Sequence, residues 1–303
     1  PGSGEARLAA TGIAALNPLV YWHQVFGAND LVFVAMVLGA VVLARERRPV
    51  ASGALLGLAC ATKQLAWPFA PFLLVALSGA GSFRDLAGAA AWRRVLRPAA
   101  AAAAVFLAVV LPVAALDFRA FWGDIVAYNV GLPGADNYPL GGTPGFGFAN
   151  YLVYFGRVAD LRDYFPFSVF YVLLVPLGVL LLRAQLRDGH PEWALATGSA
   201  ALLASLYFSR VVHPNYLVAA AVLLPLAVLA RQRGADLAVV PLLLLALGSE
   251  IAENGLLAAA WEQAAAFSLP ERWGGLAAAL APRAGPALTK DPLGLLWSAT
   301  AAG

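Results

Sequence analysis

Apolar runs separated by short polar breaks set the pattern of this chain. A helix needs about 20 apolar residues to cross about 30 Å of hydrocarbon, and several runs meet or approach that length. Crossings are expected at Leu8 to Trp22, Ala28 to Ala44, Pro98 to Leu116, Pro166 to Leu182, Trp193 to Phe208, Pro214 to Ala230 and Leu237 to Leu257. The pattern predicts an all-α fold, a polytopic transmembrane helix bundle, with residues 1–303 as a single transmembrane domain.

The stretch from Val50 to Gly81 is too long for one simple crossing and carries Lys63, Pro68 and Pro71 near its middle. A single crossing would put Arg45, Arg47 and Arg48 on the opposite face from Arg84, Arg93, Arg94 and Arg97, against the tendency of arginines to stay on one side of a membrane. A re-entrant or short helical hairpin keeps both clusters together, with Thr62, Lys63 and Gln64 at its apex and Pro68 opening the descending limb. Threading the remaining helices from that choice puts Arg183, Arg187, Arg231 and Arg233 with the other arginines. His23, Asp30, Lys63, Arg210 and His213 fall on the opposite, outer face.

Two outer loops follow from this topology. The larger, residues 117–165, is rich in Gly, Pro and aromatics, which suits turns at headgroup depth, and a short amphipathic helix is expected around Phe121 to Tyr128. The second covers residues 259–291. The run from Pro292 reads as the opening turns of another crossing, and the first residues contain no signal-peptide pattern. The chain therefore reads as a piece of a longer protein.

Composition agrees with a bilayer. The chain is 61% hydrophobic and 12% charged with a mean hydropathy of +0.75, whereas soluble domains are roughly 45–50% apolar and about 25% charged. The net charge of +3 reads as orientation information. Basic residues are not interleaved with aromatics on a polar segment, so nucleic acid is not an expected partner. The single Cys60 sits in an apolar run and allows neither an internal disulfide nor a cysteine metal site.

Four polar groupings stand out. His23, Gln24, Asn29 and Asp30 surround a turn at Gly27; Asn29 or Asp30 would serve as a helix cap, which leaves His23 and Gln24 unexplained, so Asp30 and His23 are candidate catalytic residues. Lys63, beside Gln64, is either a lysine snorkelling to the headgroups or a point charge for a phosphate, aided by the helix start near Pro68. Arg210, His213, Asn215 and Tyr216 meet at one helix junction, as an interfacial anchor or as ligands for a phosphate and a sugar. Glu250 and Glu253 share a helix face, as a site for a cation or a sugar or, more commonly for such a pair, as a solvated helix end. Phosphate loops, zinc-type spacings and a nucleophile elbow are absent from the sequence.

With these residues in view, the order from Asn17 to Pro71 resembles the multi-spanning bacterial glycosyltransferases of the GT-C superfamily. It comprises Asn-Pro, an aromatic turn, Gly-x-Asn-Asp, an apolar helix, a basic loop and then ASGALLGLACATKQLAWPFAPFLL, with HPNYLVAAAVLLPL later. Within that superfamily it is most similar to the mannosyltransferase-like family that uses polyprenyl-phosphate sugars. The resemblance implies an integral membrane glycosyltransferase at the cell membrane with its active site on the extracytoplasmic face. It would move mannose or a similar hexose or pentose from a lipid-linked donor to a glycan or lipoglycan acceptor. It also implies an acidic general base in a first outer loop, which matches no numbered position here.

The candidate substrate-binding residues are Lys63, Gln64, Arg210, His213, Asn215 and Tyr216; the resemblance implies Lys63 and Arg210 as cations for the donor phosphate, with Asp30 and His213 near the sugar. No cofactor is implied, although a divalent cation is compatible with the chemistry, and membrane lipids are the other partners. The competing class is a secondary transporter or lipid flippase, which would also place ionisable residues on broken helices. The polar residues gather at one face rather than the midplane, and no inverted repeat is evident.

Overall fold

A computed structural model describes residues 30–127, 147–149, 152, 165–210, 212 and 214–230, and every regular element among them is helical. The chain is a membrane helical bundle. The expected crossings Leu8 to Trp22 and Leu237 to Leu257, the loop 259–291 and most of the loop 117–165 lie outside the described residues.

Helix α1 runs from Asp30 to Arg45 and buries Phe33, Val34, Val37, Ala40, Val41 and Ala44, a stripe spaced by three and four that faces the core. Helix α2, Pro49–Thr62, returns antiparallel to it. The Ser52 hydroxyl donates to the Ala40 carbonyl at 2.7 Å, while Thr62 at the far end reaches Met36. A Pro at its start is placed where a missing N–H leaves no bond unmade.

The expected hairpin is present. After α2, Lys63 alone is extended (φ −157°, ψ 138°), a 3-10 helix covers Gln64–Phe69, and α3 runs Ala70–Ser78 to a left-handed Gly79 (φ 63°). Short α4, Phe83–Leu86, leads into α5, Ala89–Leu116. Gly53 and Gly57 of α2 lie against the backbone of Pro98 and Ala102 of α5, so α2 and α5 run parallel, and a Cβ at either glycine would overlap a carbonyl. Small residues permit such close helix approach where lipid supplies no hydrophobic drive. Arg94, one turn before Pro98, reaches the Ser78 carbonyl at 3.4 Å. The start of α2 and the end of α3 thus meet α5 within one turn, and the pair returns to the end of the bundle it left. Pro68 lies inside the 3-10 helix rather than at the head of the descending limb, and Pro71 takes the early position in α3.

Two boundaries differ from the sequence reading in the same way. The crossing expected from Pro98 begins at Ala89, and that expected to end at Leu182 is α7, Ser168–Asp188. Arginine is a good helix former, so Arg93, Arg94 and Arg97 at one end, and Arg183 and Arg187 at the other, extend helices instead of starting loops. Pro98 is tolerated inside α5 and buried against Gly53. These two helices are long and apolar enough to cross a membrane, with mean hydropathies of 2.5 and 2.0 and few residues of the apolar window buried.

Between them, the amphipathic helix expected at Phe121 to Tyr128 is instead α6, Phe118–Phe121, capped by the Asp117 carboxylate, followed by one π-helical turn, Trp122–Ala127. Tyr128 lies outside the described residues. Helix α8 spans Trp193–Tyr207, with Gly198 against the Phe69 ring. The crossing expected from Pro214 opens as a 3-10 turn, Pro214–Leu217, before α9, Val218–Ala230. The main core joins α1, the hairpin, α8 and α9. Arg45 pairs with Glu192 at 2.6 Å at the arginine-bearing end.

Candidate functional site

At the other end of the bundle the hairpin apex, the π-turn, the ends of α7 and α8 and the 3-10 turn before α9 line a cavity of about 260 Å³, close to the lower bound of small-molecule pockets. Its polar lining includes Lys63, Gln64, Arg210 and Tyr216, and its apolar wall includes Leu65, Trp67, Pro68, Leu202 and Leu206.

Lys63 is positioned by the break between two helical segments. The helix α2 ends when Lys63 turns extended, although its N–H still bonds the Ala59 carbonyl at 3.1 Å, and the Lys63 carbonyl accepts from Ala66 at 3.1 Å to start the 3-10 turn. This geometry carries the lysine side chain off the helix axis and across to the first turn of α1. There its ammonium donates to the carboxylate of Asp30, 33 residues away. The Asp30 side chain is 1% exposed and that of Lys63 is 22% exposed. The carboxylate is therefore a buried charge, held by a cation and by the partial positive charge of a helix start, while the cation faces the cavity.

The Tyr216 ring lies under the ammonium, 5.6 Å from Nζ to the ring centroid, within the range of cation–π attraction. The apex is braced from both sides: the Trp67 indole N–H donates to the Cys60 carbonyl at 3.0 Å, and the Gln64 amide donates to the Ile125 carbonyl at 3.4 Å. Trp67 also meets Phe106 of α5 edge to face at 6.3 Å.

Of the residues singled out by sequence, the structure brings Lys63, Gln64, Arg210 and Tyr216 to one cavity and puts Asp30 behind Lys63. His23, His213 and the Asn215 side chain lie outside the described residues, as do Glu250 and Glu253. Two readings change. Lys63 is not a lone point charge, because Asp30 neutralises it, and Asp30 is not an open carboxylate facing a sugar. Sequence reasoning missed Tyr171, Ser205 and Ser209, which also line the cavity. Tyr171 had a signal, as the one hydroxyl in an otherwise apolar run of α7; the serines had none. Among the described residues no three His, Cys, Asp or Glu side chains cluster as metal ligands.

The described residues thus form a membrane helical bundle with a cavity at one end whose wall carries basic and aromatic side chains. Comparison with known families gives the class: over residues 2–214 the chain matches the family model of a GT-C type membrane glycosyltransferase. It belongs to glycosyltransferase family 87. No curated protein and no solved structure matches it.

Proposed function

We propose that this glycosyltransferase takes its sugar, mannose or a similar hexose or pentose, from a polyprenyl-phosphate donor and passes it to a glycan or lipoglycan acceptor on the extracytoplasmic side of a multi-pass bundle. The observation that carries the reading is the cavity itself, where Lys63 and Arg210 join the Tyr216 ring against an apolar wall. In the reaction the acceptor hydroxyl oxygen attacks the anomeric carbon, the bond from that carbon to the phosphate oxygen breaks, and the hydroxyl proton passes to a base. Polyprenyl phosphate leaves with an added negative charge. On this reading the Arg210 guanidinium and the ammonium of the Lys63–Asp30 pair, both on the cavity wall, offset that charge as it develops.

Asp30 acts here as a positioning residue. It is buried behind Lys63 and sets the place of the ammonium; the base is not assigned to it. Arg210 supplies planar donors suited to phosphate.

The test is transfer by the purified protein from radiolabelled polyprenyl-phosphate mannose, with a nucleotide sugar as the competing donor and solute uptake into sealed vesicles measured in parallel. Transfer from the lipid donor, raised in donor KM by about tenfold or more in Arg210→Gln, supports the reading. Direct transfer from the nucleotide sugar would overturn the donor assignment, and uptake without transfer would favour the transporter class.

A further inference from the structure

The end of the bundle away from the cavity carries a second feature, independent of the donor reading. Helix α5 has 28 residues, about 42 Å at 1.5 Å per residue. The hydrocarbon core is only about 30 Å thick, but a bilayer with its headgroup zones is about 40–45 Å. The apolar part ends at Asp117, so the first nine residues of α5 lie in the headgroup zone at the arginine-bearing end.

Within those residues Trp92, Arg93, Leu96 and Arg97 are all exposed and pair at four-residue spacing, whereas Ala91 and Pro98 turn inward. Trp92 is 59% and Leu96 63% exposed. Arg94 is used differently, reaching back to the Ser78 carbonyl. The same outer face continues up the helix through exposed Leu107 and Leu111.

A second helix repeats the arrangement at the same depth. Leu186 of α7 packs with Ala91 of α5 in one small cluster, which puts the exposed Arg183 and Arg187, four residues apart, level with Trp92 and Arg93. Helix α7 also presents exposed Val172, Leu173, Val175 and Leu180 along its length. Two lipid-facing helices therefore each carry a pair of arginines at headgroup depth.

We infer that Arg93 and Arg97 with Arg183 and Arg187, seated beside Trp92, form a collar that binds the headgroups of anionic phospholipids and holds the bundle at its depth. Clusters of four to eight basic residues next to a membrane helix are suited to such headgroups, and each basic residue near an anionic surface contributes roughly fivefold in affinity. Tryptophan prefers the same zone.

The experiment uses the full chain in neutral detergent, titrated with phosphatidylglycerol, phosphatidylcholine or inorganic phosphate, with melting temperature as the readout. The expected result is a rise in melting temperature with phosphatidylglycerol alone, weakened by high salt. Arg93→Gln with Arg97→Gln should raise the half-saturating lipid fraction by about 25-fold, from two contributions of about fivefold. Arg93→Lys with Arg97→Lys should keep the preference, and Arg119→Gln at the other end should leave it unchanged. If the first pair prevents folding, Arg183→Gln with Arg187→Gln tests the same collar from the other helix. An equal response to phosphatidylcholine, an equal response to inorganic phosphate, or full retention in a folded glutamine pair would each overturn the inference.

Discussion

Replacing Lys63 with methionine keeps the length and most of the packing of the side chain but strands the Asp30 carboxylate in a site where it is 1% exposed. Breaking a buried pair by removing one partner costs about 3–5 kcal/mol, because the remaining charge is left uncompensated. Lys63 is partly exposed, so water reaches the pair from one side and the expected loss falls below that range, at about 2–3 kcal/mol. At about 2–4 °C per kcal/mol for a fold of this size, the melting temperature should fall by roughly 4–12 °C. Asp30→Asn should cost less, since the ammonium it leaves already opens to the cavity. The double variant Asp30→Asn/Lys63→Met removes both charges and should recover more than half of the loss while leaving sugar transfer severely impaired. Thermal unfolding of the four proteins in one detergent completes the cycle. An unchanged melting temperature in Lys63→Met, or a double variant no more stable than Lys63→Met, would refute the claim that the pair is one electrostatic unit.

Other outcomes follow from the packing. Gly57→Val should lower the yield of folded protein sharply, since its side chain would overlap the Ala102 backbone and overpacking costs about 1–3 kcal/mol even where neighbours can shift; size-exclusion recovery checks this, and normal recovery would sink the close α2–α5 contact. Trp67→Phe removes the bond to the Cys60 carbonyl and should cost about 1 kcal/mol, read as a melting shift of a few degrees with a raised donor KM from a looser apex. Glu192→Gln should change stability by under about 1 kcal/mol, because its partner Arg45 is well exposed; a larger shift would show a stronger coupling at that end.

Much of the architecture is written in local composition. Apolar runs locate α1, α8 and α9 within a few residues, and the distribution of arginines calls for the return of the hairpin. The start of α5 is less legible because Arg93, Arg94 and Arg97 satisfy both a loop and a helix entering headgroups; only the three-dimensional neighbours, Ser78 and Gly53, show the helix. The site is legible as residue types but not as pairings. Lys63 and Arg210 are conspicuous charges in apolar surroundings, yet nothing local says that Lys63 meets Asp30. That contact depends on the antiparallel register of α1 and α2 and on one extended residue at the apex. The carbonyl of Ile125 is invisible for the same reason, since any backbone offers such a group and only the fold brings this one to Gln64.

The return of the hairpin to its starting end has a consequence for the whole topology. A segment that goes in and comes back contributes nothing to the parity of the chain, so every helix after Gly79 keeps its direction whether the hairpin is long, short or shallow. A single crossing in its place would invert all that follows. The residues at the apex are in this sense decoupled from orientation, and the loop that carries Lys63 can be lengthened, shortened or re-sequenced to suit another substrate without turning the remaining helices over.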